Sequence, residues 1–388
     1  MNIAIVGAGA SGLLASIIIN KSSHSFTLYE SQARCGRKLL ATGNGRCNLT
    51  NVNIDISRYH GDTGFAEYAL GTFDNYRLMD FMEGIGVKCT YEGEKVFPYS
   101  LQASSVLDMM RLAQGMSEVV NTEVTKLVPR GKGIAVVTKN GEKVFDKVIV
   151  CTGGKASKKL SGDGAYNLLT DLGHTMTKLK PAIVQLKCEN TKALEGIKIN
   201  ANVTIENREE YGEVLFTSYG LSGPPILQLS RDAVGKRAEL DLTPELSFKD
   251  VVDILTQKCR IEYLTLENLF TGFLNKKLGM YVLKRCGVSP MTKSVSGLTS
   301  HEIKAIASKV KCLDFDITDT NGFDNAQVTA GGIKCSEFDK YTMESKKVKG
   351  LYAAGEILDI DGDCGGFNLQ WAFSSAYVAA KSAIGEEL

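Results

Sequence analysis

Uninterrupted apolar runs alternate with stretches of helical length along this chain. Ile3-Ala4-Ile5-Val6 carries no polar interruption, the pattern of a parallel strand covered on both faces. Leu13-Leu14-Ala15-Ser16-Ile17-Ile18-Ile19 then has the length and composition of a helix, and Phe26-Thr27-Leu28-Tyr29-Glu30 reads as the next strand. The first thirty residues therefore predict a β-α-β unit that opens a doubly wound sheet. From Asn121 to Val150 three β-rich runs are broken by Pro129-Arg130-Gly131-Lys132-Gly133 and by Asn140-Gly141, which predicts a meander with a hairpin turn at Asn140-Gly141. Val148-Ile149-Val150 is again a buried strand, ending in Cys151-Thr152-Gly153-Gly154.

Between about Cys188 and Ala326 the texture changes. Strand-like pieces lie around Val203 and Leu215, Gly223-Pro224-Pro225 starts a helix, and a mixed helical stretch runs from about Ser247 to Val310. Leu351-Tyr352-Ala353-Ala354 then returns to the buried-strand pattern, and Asn368 to Ile384 reads as a closing helix. The class is α/β, and the middle of the chain is an insertion that leaves the main domain discontinuous.

A length of 388 residues agrees with two to three domains. Lys+Arg 45 against Asp+Glu 44 leaves a net charge of +1, so no general attraction to nucleic acid or to an acidic membrane is expected, although Lys155, Lys158 and Lys159 form one local basic cluster. Hydrophobic residues at 44% and charged residues at 23% exclude collagen-like, disordered and disulfide-scaffold classes. The ten cysteines contain no Cys-x-x-Cys and read as reduced thiols, and the four histidines are scattered, so no metal site is expected. The apolar N-terminus lacks a basic region and is interrupted by glycines, which favours strand, turn and helix over a secretory leader. No other run has the length of a membrane span, and the expected location is the cytoplasm.

Gly7-Ala8-Gly9-Ala10-Ser11-Gly12 fits G-x-G-x-x-G between a strand and a helix. The first glycine makes the tight turn, the second admits a pyrophosphate against the backbone, and the third lets helix and strand pack closely. Glu30 ends the second strand near the spacing at which a carboxylate accepts the hydroxyls of an adenosine ribose. No other G-x-G in the chain reaches a third glycine at the required offset, so any second nucleotide is taken on another surface. Gly36-Arg37-Lys38-Leu39-Leu40-Ala41-Thr42-Gly43-Asn44-Gly45-Arg46-Cys47-Asn48 follows directly, with cations and pliable backbone for an anionic ligand. Near the C-terminus, Gly355-Glu356-Ile357-Leu358-Asp359 offers carboxylates for ribityl or ribose hydroxyls. Gly365-Gly366-Phe367-Asn368 opens the last helix, whose N-terminus suits the pyrimidine edge of a flavin. A ligand reaching from the first turn to the last helix suits FAD better than NAD.

These residues resemble the BaiN-like family of three-domain bacterial flavoproteins, which includes aminoacetone oxidase and a reductase proposed to act on bile-acid intermediates. Besides Gly7 to Gly12, the stretch from Gly36 to Asn48 and Cys151 to Gly154, the matching strings are Phe216-Thr217 with Gly220-Leu221-Ser222-Gly223-Pro224 and Val328-Thr329 with Gly331-Gly332-Ile333. Thr342-Met343-Glu344-Ser345-Lys346 and Gly350-Leu351-Tyr352 through Gly365-Gly366-Phe367-Asn368-Leu369-Gln370-Trp371 complete them. The resemblance implies FAD in an extended pose on a discontinuous Rossmann-like domain, residues 1–187 and 327–388. It also implies an inserted β-barrel-like domain, 188–246 and 311–326, and an inserted helical domain, 247–310. By likeness Glu30 holds the adenosine ribose and Val124 meets the adenine through its backbone. Arg46, Cys47, Asn48, Thr329 and Gly365 to Gln370, Leu369 among them, line the flavin. Arg37, Lys38, Thr42, Gly43, Asn44, Thr152, Gly153, Gly154, Gly355, Glu356 and Asp359 complete the expected cofactor residues.

Two departures limit what carries over. Ser218-Tyr219 stands where relatives often have a histidine after Phe-Thr, so a proton-relay role there is not transferred, and Tyr219 reads as structural. Cys35 and Cys151 replace residues more often apolar or small and read as packing changes. Cys47 without a partner thiol reads as a wall residue, His174 as an ordinary surface residue, and Trp371 as core.

The expected function is that of an FAD-dependent oxidoreductase moving hydride between a small organic substrate and flavin N5. Its electron partner is either NAD(P)H, in a reductase, or oxygen, in an amine-oxidase-like enzyme, and no catalytic acid or base stands out. The competing class is a flavin-binding protein with a nucleic-acid-modifying or sensing role. Balanced charge speaks against nucleic acid as a partner, and none of the segments calls for a membrane.

Overall fold

The computed structural model describes residues 1–115 and 119–387. Contacts divide the chain into two units, Met1–Pro181 with Ala326–Leu388, and Ala182–Asn325.

The first unit is built on a five-stranded, wholly parallel sheet in the order Leu351–Ala353, Lys147–Val150, Asn2–Val6, Ser25–Glu30, Val119–Asn121. The apolar runs read in the sequence are its central strands, because a parallel sheet is covered on both faces. Its register explains why distant motifs meet. Val6 pairs with Tyr29 and with Val150, Val150 with Ala353, and Glu30 with Asn121. The carboxyl ends of all five strands therefore lie along one edge, where open α/β sheets bind their ligands. The first helix, Ala10–Asn20, and the last, Phe367–Ile384, pack against each other, and both are buried over most of their length.

The meander is a three-stranded antiparallel sheet of Val124–Arg130, Gly133–Thr138 and Gly141–Phe145. Its second turn differs by one residue from the expectation. Gly141 pairs with Thr138, so the two turn residues are Lys139 and Asn140, and Gly141 opens the next strand at φ +116°. The Thr138 hydroxyl accepts from Asn140 N at 3.1 Å and closes the turn. The segment between residues 49 and 115 adds helices Thr63–Thr72, Asn75–Gly84 and Ala103–Ala113 and a hairpin of Cys89–Glu92 with Lys95–Pro98.

The second unit holds a closed antiparallel barrel in the order Leu186–Cys188, Gly220–Ser222, Arg208–Thr217, Lys198–Ile205, Arg237–Asp241, Leu313–Thr320. Alternation turns Ala201, Val203, Ile205, Val214 and Phe216 inward. The sequence placed the first boundary after residue 187, but Leu186–Cys188 pairs inside the barrel, which moves the division to Pro181/Ala182. Helices Phe248–Lys258 and Ser300–Lys311 each start with a capping box, Ser247 with Asp250 and Thr299 with Glu302. With Lys276–Arg285 they bury Val251, Leu255, Val282 and Ile306 in the same core as the barrel residues. Tyr219 is exposed in the turn between two barrel strands, where its carbonyl accepts from Cys188 N at 3.0 Å.

Candidate functional site: a dinucleotide cradle at the strand ends

Three glycines after the first strand have three separate reasons. Gly7 has φ +104°, and a Cβ there would lie 2.4 Å from the Cys151 carbonyl oxygen. A Cβ on Gly12 would stand 1.8 Å from Gly7 O, whereas one on Gly9 would meet nothing within 4 Å. Gly7 and Gly12 are thus required by packing, while Gly9 faces open space. The first helix begins with no side-chain cap and no acidic residue in its first turn, and Leu13 N is its first amide with a helical acceptor, Gly9 O at 2.9 Å. The N–H groups of Ala10, Ser11 and Gly12 remain for an anion.

Glu30 is pinned beside this turn. Its Oε2 accepts from Ala8 N at 2.9 Å and its Oε1 from Gln32 N at 2.8 Å. Gln32 in turn accepts from Arg37 Nη1 at 2.7 Å, so Arg37 is held toward the same corner. On the neighbouring strand Asn121 pairs with Glu30, and the next residue, Thr122, has a buried hydroxyl oxygen with no hydrogen-bond partner. Val124 is buried two residues further on. Glu30, Arg37 and Val124 are legible in the sequence, whereas Gln32 and Thr122 are not. The pairing of Asn121 with Glu30, which brings Thr122 to this corner, depends on a three-residue strand too short to declare itself.

The stretch after Gly36 contains four residues at positive φ, Gly43, Asn44, Gly45 and Cys47, at +56°, +55°, +82° and +61°. Cys47 N donates to Thr42 O at 3.0 Å, and the Thr42 hydroxyl donates to Leu39 O at 2.7 Å. Cys47 is fully buried, and burial pushes its thiol up to about 12, so it stays protonated. Arg46 lies over the Phe97 ring at 4.6 Å and donates to Glu92 at 3.0 Å. The side-chain oxygen of Asn48 is buried with no partner.

Glu356 joins three segments. Lys38 Nζ donates to its Oε2, Thr329 N donates to its Oε1 at 2.8 Å, and Ala156 N donates to the Thr329 hydroxyl at 2.8 Å. A Cβ on Gly154 would lie 2.5 Å from the Thr329 hydroxyl and 2.6 Å from Glu356 Oε1, so only glycine fits there. Both Glu356 oxygens are already engaged, which makes the residue a tie between segments more than an open acceptor for sugar hydroxyls. Gly153, at φ +70°, faces open space, and Thr152 donates to Gly164 O at 2.8 Å. The Asp359 carbonyl accepts from Asp62 N at 3.0 Å.

The last helix, like the first, starts with no side-chain cap and no acidic residue in its first turn. Gly365 and Gly366 precede it at φ +137° and +101°, and a Cβ on Gly366 would lie 2.4 Å from Thr50 O. Asn368 closes this turn with both ends of its amide, accepting from Gly362 N at 2.8 Å and donating to Gly362 O at 2.6 Å. Tyr59 donates to Phe367 O at 3.1 Å, and Leu369 is half-buried. Fully buried Gln370 accepts from the Thr50 hydroxyl at 2.6 Å and donates to Phe73 O at 2.8 Å. Trp371, in the core as expected, donates to Gly355 O at 3.2 Å, and Ser375 accepts from Gly355 N at 2.9 Å. The Ser375 and Gln370 bonds are not legible in the sequence, because their partners are backbone groups and a hydroxyl, Thr50, far away along the chain.

Two uncapped helix N-termini, open backbone at Gly9 and Gly153, a pinned carboxylate at Glu30 and orphaned buried oxygens on Thr122 and Asn48 fit a long dinucleotide with a charged middle and polar ends. Fold and cradle together define an FAD-dependent oxidoreductase of Rossmann type. The chain belongs to the HI0933-like protein Rossmann domain family, which matches residues 1–382. It is 37% identical to a 3-dehydro-bile acid delta(4,6)-reductase of Clostridium scindens, over 98% of both chains. A ribosomal RNA dihydrouridine synthase of Escherichia coli is 27% identical, over 98% of this chain and 97% of that one. An open flavocytochrome c3 fumarate reductase superposes with a TM-score of 0.51 at 15% identity, covering 99% of this chain and 78% of the other, a likeness of fold.

Proposed function

We propose that this chain is a reductase that adds two hydrogens across a ring carbon–carbon double bond conjugated to a carbonyl in a small organic substrate. The observation that carries this reading is the 37% identity, end to end, to a reductase whose name describes that kind of bond. When bound and reduced by a nicotinamide, the flavin would supply hydride from N5 and the second hydrogen would arrive as a proton from solvent, while the protein supplies binding, orientation and electrostatics. Gly7, Gly9 and Gly12, with the free amides of the first helix, hold the pyrophosphate. Glu30 receives the adenosine ribose on its remaining lone pairs, and Val124 meets the adenine through its backbone. Arg46, Cys47, Asn48, Thr329 and Gly365 to Leu369 line the flavin. The N-terminus of the last helix stabilises negative charge at the pyrimidine edge of the ring, and protonated Cys47 brings no charge of its own to that wall. With a single nucleotide fingerprint in the chain, a nicotinamide that reduces the flavin would be taken transiently on another surface.

A second reading is uridine reduction in RNA, favoured by the 27% identical dihydrouridine synthase. The chain's net charge of +1 weighs against it, and Lys158 of the local basic cluster is paired with Asp163 at 3.0 Å. The test is an anaerobic titration with NADPH and NADH, following the visible flavin band. Bleaching, followed by recovery of the band on adding an unsaturated 3-keto steroid acid, is the expected result. Recovery only with a uridine-containing RNA would establish the second reading. A band that bleaches with an amine and not with nicotinamide would overturn both in favour of an oxidase.

A further inference from the structure

Thr342 to Lys346 is a motif that the cofactor site does not use directly, and it surrounds a histidine that is not on the surface. His174 is 3% exposed and stacks on Phe338 at a ring distance of 4.6 Å. Its Nδ1 lies 3.0 Å from Glu337 Oε2 and its Nε2 lies 2.9 Å from the Ser345 hydroxyl. The order Ser, His, Glu is that of a hydrolytic triad, but the chemistry is different. Ser345 Oγ already accepts from Lys347 N and Val348 N, both at 3.0 Å, and is buried, so it has neither a free lone pair nor access to a substrate. Its proton points at His174 Nε2. The imidazole is therefore neutral, with its own proton on Nδ1 and directed at Glu337.

Glu337 is saturated. Besides His174 it accepts from Thr175 N at 2.9 Å, from the Thr175 hydroxyl at 2.8 Å and from Lys347 Nζ at 2.8 Å. Lys347 also donates to Gly173 O, and Glu344 accepts from Gly350 N at 2.7 Å, which closes the loop before the strand Leu351–Ala353. From Thr175 an unbroken ladder runs toward the cofactor residues. Lys334 N donates to Thr175 O at 3.0 Å, Thr177 N to Gly332 O at 2.9 Å, and Gly332 N to the Thr177 hydroxyl at 3.0 Å. Ile333 N then donates to Ile357 O at 2.9 Å, and Asp359 N to Ile333 O at 3.0 Å. A Cβ on Gly332 would lie 2.6 Å from Leu358 C, so this ladder has no slack.

We propose that His174, locked between Glu337 and Ser345, is a positioning residue for the Gly331–Ile333 and Gly355–Asp359 turns of the cofactor site, and that protonating its imidazole loosens FAD. A proton on Nε2 faces the Ser345 hydroxyl, which has no lone pair left to receive it. Ser345 must then turn away and release Lys347 N and Val348 N, and with the backbone of Lys347 freed its Nζ loses its fixed hold on Glu337 Oε1 and Gly173 O, on either side of the Thr175 end of the ladder. The charged groups facing the imidazole are Glu337 and Lys347. Burial holds the imidazole below its ordinary value although the Glu337 carboxylate pulls the other way. The proposal rests on FAD as the cofactor.

The experiment measures FAD affinity of the full-length protein between pH 8 and pH 5.5 by flavin fluorescence, with the imidazole signals followed by NMR in the same series. The wild type is expected to hold FAD at pH 8 and to lose affinity by up to about tenfold per pH unit below the midpoint of one depressed histidine signal. His174→Asn, which keeps a donor for Glu337 but cannot titrate, is expected to bind more weakly at pH 8 and to show a flat profile. A flat wild-type profile, an unchanged slope in His174→Asn, or a wild-type midpoint that coincides with no histidine signal would overturn the proposal. The last comparison needs no variant. Failure of the wild type to bind FAD at pH 8 would instead overturn the cofactor reading, and the proposal with it.

Discussion

Gly9 and Gly12 stand three residues apart and answer to different demands, and substitution separates them. A methyl group on Gly12 would sit 1.8 Å from a backbone oxygen, so helix and strand must part to admit it. Gly12→Ala is expected to cost about 3 kcal/mol or more in urea unfolding and to leave a colourless protein. Gly9 has φ −83°, which alanine adopts freely, and a methyl there meets nothing. Gly9→Ala is expected to match or slightly exceed wild-type stability, yet to bind FAD about tenfold more weakly, a loss of about 1.4 kcal/mol, because the methyl occupies the approach of the phosphate. Equal FAD affinity in Gly9→Ala and wild type would remove Gly9 from the site. Cys47 gives a chemical check at the same scale. With its thiol held near 12 and fully covered, it is expected to resist iodoacetamide at pH 8 in the native protein, and early appearance of its alkylated peptide would contradict the burial.

Elements differ in how far the sequence announces them. Ile3 to Val6, Val148 to Val150 and Leu351 to Ala353 are legible because a strand covered on both faces must be apolar throughout, and Gly7 to Gly12 is legible because its spacing answers to one ligand. The helices Thr63–Thr72 and Asn75–Gly84 were not read, although Phe65, Ala66, Ala69 and Leu70, then Leu78, Met79 and Met82, follow helical spacing. Their apolar faces are short and broken by polar residues. The polar ties of the last helix were illegible for a stronger reason: Thr50 and Gln370 are 320 residues apart, and nothing local to either residue marks the other. These ties carry a measurable share of stability. Gln370→Leu removes the acceptor of a buried hydroxyl and one of two donors to Phe73 O, which keeps the Ser374 hydroxyl, and is expected to cost about 1–3 kcal/mol in urea unfolding, with FAD affinity reduced because the Gly365–Gly366 turn rests on Thr50. Unchanged stability would mean that solvent replaces both partners.

At the scale of the whole molecule, two hydrophobic cores share no residue. One is gathered around the parallel sheet and the last helix, the other around the barrel and the helices of its unit. Every candidate cofactor residue, from Gly7 to Leu369, falls in the unit of the first core, including those on either side of the insertion. On the proposed site, cofactor binding would be coupled to the folding of that unit in particular. Scanning calorimetry of apoprotein and holoprotein is expected to resolve two transitions, of which FAD moves one. At a free FAD concentration of about 100 times Kd the linked unit gains about 2.7 kcal/mol. In a unit of this size that raises its Tm by roughly 5–10 °C. Gly9→Ala, which lacks only affinity, should keep the apoprotein trace and show a smaller FAD shift at the same concentration. A single transition that moves as a whole would mean that the two cores unfold together, and FAD would then stabilise the barrel as much as the sheet. The polar ladder from Glu337 to Asp359 lies wholly within the FAD-linked unit, so acidification through the titration of His174 should shrink the FAD shift of that transition and leave the other where it was.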